Sequence, residues 1–322
     1  MKKTLIFDMD GVLLAPRGYH LALQETVRLG ADALGYSNTT LTDEHIAQFE
    51  GLGISSEWHS SAAALSMLAF DGELSLGRLF ESLKRQPAQI PARIRLERCI
   101  EEITGDAQRI HESETLASPS YKIFQELILG SADFERIYGI SSRLNVESYL
   151  LQFDKPLLET STRERLLAWL EHSEHGCVVM TNRPSREMPD AEYGLRLVGL
   201  EGVPLVGYGD IEWLAEQVGE DASKLQKPYT VHALAALFAA TGRDLQESLM
   251  DAHALRNDVD VDEIVVFEDT PAGLISVEKM GEFLGVSVKK IGIAPSAVKA
   301  GFLRAQGAQV FDDINGALGD VI

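Results

Sequence analysis

The chain has 322 residues, which is enough for about two domains at ~100–200 residues each. Its hydrophobic content of 45% predicts a globular protein with a sizeable core. The formal net charge of -20 argues against nucleic acid or an anionic membrane surface as a non-specific partner, although a local cleft can still accept a phosphorylated substrate.

The cysteines and the N-terminus both point to a cytoplasmic protein without a membrane segment. Cys99 and Cys177 lie far apart in the chain and are interpreted as two reduced, buried thiols. Lys2 and Lys3 precede an apolar stretch, but Asp8 interrupts it too early for a signal peptide. Since no run reaches about 18 apolar residues, no membrane span is expected.

A short buried strand is predicted at the start of the chain, over Thr4-Leu5-Ile6-Phe7. Side chains two residues apart on an extended strand share a face, so Asp8 and Asp10 are expected to stand close together. Open α/β sheets bind ligands at this carboxyl end of their strands. Because two adjacent carboxylates ionise cheaply only beside a cation or with a shared proton, and Mg²⁺ prefers oxygen ligands, the pair predicts a magnesium site.

A long helical segment follows this strand. Helices are predicted near residues 20–27, 43–49, 55–68, 76–85, 91–103, 119–129 and 146–153. After it, helices and apolar strands alternate: helix 162–172, strand 177–180, an apolar run 203–206, helix 229–240, strand 263–267, helix 271–280 and strands 290–293 and 309–311. This alternation predicts a parallel sheet with crossover helices, so an α/β core of residues 1–15 and 157–322 is interrupted by an all-helical insert at 16–156.

Chemically distinctive residues follow the core strands or open a core helix. These signals are Asp8-Met9-Asp10-Gly11-Val12, Met180-Thr181-Asn182-Arg183, Lys227-Pro228 and Phe267-Glu268-Asp269-Thr270-Pro271-Ala272-Gly273. Parallel strands bring their carboxyl ends to one edge of the sheet, so all four signals are expected to converge.

In this order, the four motifs resemble those of the haloacid dehalogenase superfamily. More narrowly, they resemble its phosphatase and phosphomutase branch, which carries a helical cap inserted after the first motif. The resemblance covers the whole core, and it covers the insert only by position and helical texture. It implies an α/β fold with a Rossmann-like parallel sheet and a large all-helical cap.

The resemblance also implies a role for each core motif in phosphoryl transfer. Asp8 attacks phosphorus and becomes an aspartyl-phosphate, and Asp10 protonates the leaving alcohol and then activates water. Thr181 and the backbone amides near Asn182 bind a phosphate oxygen. Lys227 supplies positive charge beside the phosphoryl group.

The implied cofactor is Mg²⁺, held by Asp8, the backbone carbonyl of Asp10, and Asp269, with Glu268 nearby or acting through water. Gly11 permits a tight turn whose amides add donors to the phosphate. Asn182 as a plain turn residue stays an open alternative. Arg183 is expected to be a surface cation.

The insert offers weaker candidates for substrate contact. The loop that contains Gly51, Gly53 and Ser55 resembles the cap loop that faces the active site in these relatives, although an ordinary interhelical turn explains it equally well. Arg17 and His20 lie near the hinge after the first motif, and the better expectation for both is a surface position.

The leading functional hypothesis is a magnesium-dependent phosphatase that acts on a small phosphorylated metabolite. A phosphomutase of the β-phosphoglucomutase type uses the same core and stays open. A haloacid dehalogenase is disfavoured because carbon–halogen displacement does not need the acid/base chemistry of Asp10. A phosphonate hydrolase is disfavoured because no lysine follows Lys3 until Lys84. A non-catalytic magnesium-binding scaffold is the alternative from another class, and the intact motif set argues against it.

Overall fold

The computed structural model describes residues 2–54, 56–87, 90–295 and 297–322. The strands are β1 Lys3–Phe7, β2 Leu14–Ala15, β3 Lys155–Pro156, β4 His175–Met180, β5 Leu205–Val206, β6 Glu263–Glu268, β7 Ser287–Ile293 and β8 Gln309–Phe311. Within the described residues, a six-stranded parallel sheet has the order β5-β4-β1-β6-β7-β8. β2 and β3 form a separate antiparallel pair.

The chain divides into two compact units. The core unit consists of the residues up to Pro16 together with Asp154–Ile322, and the helical unit is Arg17–Phe153. The sequence predicted the insert at 16–156, and the C-terminal end of the helical unit, Phe153, lies a few residues before the predicted one. The reason is that Lys155–Pro156 pairs with Leu14–Ala15, which ties the returning chain to the core unit.

Helices make up the regular structure of the helical unit, and they flank the sheet in the core unit. The helical unit contains α1 Arg17–Ala33, α2 Asp43–Gly51, α3 Glu57–Asp71, α4 Gly77–Arg85, α5 Ala92–Thr104, α6 Gln108–Glu112, α7 Pro119–Leu129, α8 Ser131–Tyr138 and α9 Tyr149–Phe153. The core unit contains α10 Thr160–Leu170, α11 Asp190–Val198, α12 Tyr208–Val218, α13 Thr230–Ala240, α14 Leu245–His253, α15 Pro271–Leu284, α16 Ala297–Ala305 and α17 Ile314–Gly319. Across the described residues, every helix is too short or too polar to traverse a lipid bilayer.

The central strands are apolar because both faces of the sheet are covered. Ile6 and Val266 pack in one layer with the apolar helix α13, while Leu5 and Phe7 pack in a layer on the opposite face. A strand buried on both sides has no polar face, so β1, β4 and β6 have nearly continuous apolar sequences. The predicted fold class, a Rossmann-like α/β core with a large helical insertion, is confirmed.

Several sequence predictions differ from the structure in their details. Thr42, rather than Asp43, caps α2. The helix predicted at 146–153 covers only Tyr149–Phe153. The sequence did not predict α6, α8, α11, α12, α14, α16 and α17. Most of these helices span only two or three turns, and so short a segment contains few repeats of the apolar spacing that identifies a helix.

Candidate active site

The register of the sheet brings three of the predicted motifs to one edge. Phe7 is paired with Val179 on one side and with Phe267 on the other. The backbone N–H of Asp8 donates to the carbonyl of Phe267 at 2.9 Å. Parallel pairing therefore sets Asp8 beside Glu268, the residue that follows Phe267.

Asp8, Glu268 and Asp269 form an acidic cluster at this edge. One carboxylate oxygen of each lies within 4.8 Å of the others, and all three residues are buried. Hard oxygen ligands at this spacing suit Mg²⁺. The donor set therefore fits the ion that the sequence resemblance implies.

Lys227 lies between two members of the acidic cluster. Its Nζ donates to Asp8 Oδ1 at 2.8 Å and to Glu268 Oε1 at 2.6 Å. Burial lowers the pKa of Lys227, but the charges of Asp8 and Glu268 outweigh this effect and raise it above its usual value. Lys227 is thus a fixed cation against the oxygens of Asp8.

The loop after β6 holds Glu268 in place. Glu268 Oε2 accepts from the backbone N–H of Asp269 at 3.2 Å, from that of Thr270 at 3.1 Å and from the Thr270 hydroxyl at 2.9 Å. Glycines leave room for two of the carboxylates: a Cβ at Gly273 would overlap Glu268, and a Cβ at Gly11 would overlap Asp269. Gly11 also has a φ of +74°, which L side chains rarely adopt.

Burial, and after it the repulsion between neighbouring acids, raises the pKa values in the acidic cluster. Burial, followed by the negative charge of Glu268, raises the pKa of Asp8 well above its usual value, and Lys227 only partly opposes this. Burial likewise raises the pKa of Asp269 to about 6, against an ion pair with Lys299. Without a divalent cation, these groups therefore hold protons more tightly than isolated aspartates do.

Magnesium is expected to raise the melting temperature by about 5 °C near pH 7.5, if it is present at about 100 times its Kd, and by clearly less near pH 5. The pKa of Asp269 is about 6 in the folded state, above its unfolded value of 3.8. Its contribution to the free energy of unfolding is therefore fully present below pH 3.8 and is lost as the pH rises through about 6. Above that range the acids are ionised, and a bound cation stabilises the folded state most. Near pH 5 protons compete with the cation for the same carboxylates.

Differential scanning fluorimetry with and without MgCl₂ measures this difference. Asp269→Asn serves as the control and is expected to lose most of the shift. An equal shift of the wild-type protein at both pH values would contradict the prediction.

Lys299 is a contact of the acidic cluster that sequence reasoning missed. It lies on α16 and forms an ion pair with Asp269 Oδ2. No motif marks this lysine, since it stands 30 residues after its partner. Lys299 is therefore a second cation at the acidic cluster, and it pairs with the one acid that Lys227 does not contact.

The structure corrects the prediction for Arg183. It was expected at the surface, but it is 3% exposed. Its Nε donates to both carboxylate oxygens of Asp10, at 3.0 and 2.9 Å, and its Nη2 donates to Asp154 Oδ2 at 2.8 Å. Arg183 thus holds the Asp10 side chain. The burial of its guanidinium is possible because two acids compensate its charge.

The residues after β4 differ in exposure. Thr181 is buried, and its Oγ1 accepts from the backbone N–H of Arg183 at 3.1 Å. The hydroxyl hydrogen of Thr181 is thereby left to donate to a ligand. Asn182 is exposed, which is compatible both with a plain turn residue and with a backbone N–H that binds phosphate.

The candidates for substrate contact belong to the helical unit. Arg17 is exposed at the start of α1, and His20 Nε2 lies 3.0 Å from Glu50 Oε1, a contact that raises the pKa of His20. Gly51 ends α2, and Gly53 has a φ of +73°. Ser55 lies outside the described residues. Contact of these residues with a substrate stays a prediction.

Comparisons with known proteins identify the fold. No family model and no curated protein sequence matches the chain. An X-ray structure from the Northeast Structural Genomics Consortium, target ZR25, aligns over 99% of this chain and 98% of its own, at 20% identity and a TM-score of 0.68. The phosphatase Tt82 from Thermococcus thioreducens aligns over 94% of this chain and 99% of its own, at 15% identity and a TM-score of 0.59.

A 2-haloacid dehalogenase from Pseudomonas syringae pv. Tomato DC3000 aligns over 92% of this chain and 88% of its own, at 18% identity. Its TM-score of 0.33 is too low to support an inference about this chain. The two stronger similarities show that the chain shares its α/β architecture, over nearly its whole length, with a phosphatase and a structural genomics target.

Proposed function

We propose that this chain is a magnesium-dependent phosphatase of the haloacid dehalogenase superfamily that hydrolyses a small phosphorylated metabolite through an aspartyl-phosphate. One observation carries the proposal: a buried aspartate, Asp8, contacts a buried lysine and belongs to a cluster of three carboxylates at the ligand-binding edge of a parallel sheet. A nucleophilic carboxylate, a fixed cation and a set of metal ligands are the parts that this chemistry needs.

Asp8 and Lys227 carry the transfer itself. A carboxylate oxygen of Asp8 attacks phosphorus, and the bond from phosphorus to the substrate oxygen breaks. Lys227 Nζ stays protonated beside Asp8 and offsets the negative charge of the transferring group. The Thr181 hydroxyl and the backbone amides near Asn182 and Gly11 donate to the phosphoryl oxygens.

Asp10 moves the protons in both halves of the reaction. It gives a proton to the leaving alcohol, and it later takes one from the water that hydrolyses the phosphoenzyme. Its carboxylate is partly exposed, as a group that meets substrate and water requires.

Asp8, Glu268 and Asp269, with the Asp10 carbonyl, would hold the metal. When bound there, Mg²⁺ would supply positive charge that offsets the negative charge of the phosphoryl group. The raised pKa values of Asp8 and Asp269 support this assignment, since a divalent cation relieves the crowding of the acids.

The helical unit is proposed to act as the cap that selects the substrate. Its chain leaves the core unit only a few residues after Asp10 and returns at Asp154. The substrate candidates Arg17, His20, Gly51, Gly53 and Ser55 are all carried by this insertion.

Release of inorganic phosphate from a panel of small phosphate monoesters tests the proposal. Wild-type protein is expected to hydrolyse at least one ester in MgCl₂, to lose the activity after treatment with EDTA and to recover it when Mg²⁺ is restored. Removal of the metal is expected to lower the rate by about 100-fold or more, since the metal contributes several kcal/mol of charge stabilisation. Full activity in EDTA, or inactivity across the panel with Mg²⁺, would contradict the proposal.

A further inference from the structure

Asp10, Arg183 and Asp154 form a charged triad within the core unit. Arg183 lies in the middle: its Nε contacts both oxygens of Asp10, and its Nη2 contacts both carboxylates. The side chains of Arg183 and Asp154 are 2% and 0% exposed, whereas that of Asp10 is 33% exposed. The triad therefore runs from a fully buried carboxylate to one that solvent can reach.

The chemistry of the triad fixes the orientation of Asp10. A guanidinium is planar, and paired donation holds a carboxylate in one plane. Asp154 Oδ2 accepts from the same Nη2 at 2.8 Å, and burial leaves Arg183 little room to rotate. The backbone N–H of Arg183 also donates to Thr181 Oγ1, so the same residue connects Asp10 to the motif after β4.

The backbone reinforces this arrangement from a second direction. Asp10 forms a bridge with Leu14, and the N–H of Gly11 donates to the Leu14 carbonyl at 2.7 Å. β2 then pairs with β3, which begins directly after Asp154. The loop that carries Asp10 is thus tied to the segment that carries Asp154 through both the backbone and the ion triad.

We infer that Arg183 and Asp154 are positioning residues that hold the Asp10 carboxylate for proton transfer. This inference rests on the proposed function, in which Asp10 serves the leaving alcohol and then the attacking water. Both transfers need an oxygen in a defined place, and a misplacement of about 1 Å can cost about 100-fold in rate. Asp154 touches no substrate in this scheme and acts through Arg183.

Leaving-group dependence separates positioning from a general structural role. An alkoxide leaves poorly without a proton, whereas p-nitrophenolate leaves well without one. Asp154→Asn and Arg183→Lys are therefore expected to lower kcat/KM, which reports only the steps up to departure of the alcohol, by about 10-fold or more for β-glycerophosphate and by less than about 3-fold for p-nitrophenyl phosphate. Asp10→Asn is expected to show the same selectivity with a larger loss.

Asp210→Asn is the matched control. Asp210 is another buried aspartate of the core unit. It lies on α12 and pairs at 2.7 Å with Arg186, which belongs to the loop after β4. Any loss of activity in this variant is expected to be equal for the two esters. Equal losses for both esters in Asp154→Asn and Arg183→Lys, or no loss in either variant, would overturn the inference.

A crystal structure of Asp154→Asn gives a readout that does not depend on turnover. The Asp10 carboxylate is expected to rotate or to occupy two orientations, and a single unchanged orientation would overturn the inference. If the wild-type protein hydrolyses no ester of the panel in Mg²⁺, the proposed function fails, and this structure still decides whether the triad orients Asp10.

Discussion

Asp8→Asn is expected to lower kcat for phosphate release by about 10⁴-fold or more, because an amide oxygen cannot replace the carboxylate nucleophile. The substitution keeps the volume of the side chain and leaves an oxygen that can accept from Lys227. It also removes one of the three crowded acids, so the folded state is expected to persist. The loss is therefore chemical rather than structural.

Initial rates of phosphate release, together with circular dichroism melts, measure this effect. Asp251→Asn is the control, because it makes the same change at an aspartate that pairs with Arg243 at 2.7 Å on α14. It is expected to retain wild-type activity. Acid-quenched wild-type protein is expected to carry a phosphoryl group on Asp8 in mass spectra. Turnover by Asp8→Asn at the full rate would remove the basis of the proposed mechanism.

Lys227→Met is expected to destabilise the metal-free protein near pH 7.5 by about 3–5 kcal/mol, because it leaves two buried carboxylates without their shared cation. The corresponding fall in melting temperature is about 10 °C. Near pH 5 the difference is expected to shrink, since the raised pKa of Asp8 allows a proton to replace the lost charge. Activity is expected to fall as well, because Lys227 faces Asp8.

Melting curves of the variant at both pH values give the measurement. Lys84→Met is the control, since Lys84 pairs with Glu81 at the surface and its loss is expected to cost less than about 1 kcal/mol. Adding Glu268→Gln to Lys227→Met is expected to restore part of the lost stability, because it removes one of the two uncompensated charges. A Lys227→Met protein that melts at the wild-type temperature would contradict the role of this lysine.

Much of the fold and part of the site could be predicted from the sequence. The apolar runs before Asp8, Thr181 and Glu268 are strands of the sheet, because a strand buried on both faces leaves a continuous apolar pattern. Lys227 was assigned to a position beside Asp8, and the structure places it there. The same rules failed for Arg183, since a cation next to an exposed asparagine has the local pattern of a surface residue.

The meeting of Asp8, Glu268 and Asp269 could be predicted from the sequence alone. Acids that directly follow parallel strands must share one edge of the sheet, whatever the other side chains do. The cations that pair with Asp10 and Asp269 are evident only in the folded chain. Arg183 pairs with Asp10 from 173 residues away, and Lys299 pairs with Asp269 from 30. Local periodicity specifies which face of an element is buried, and it contains no information about which distant side chain fills that space.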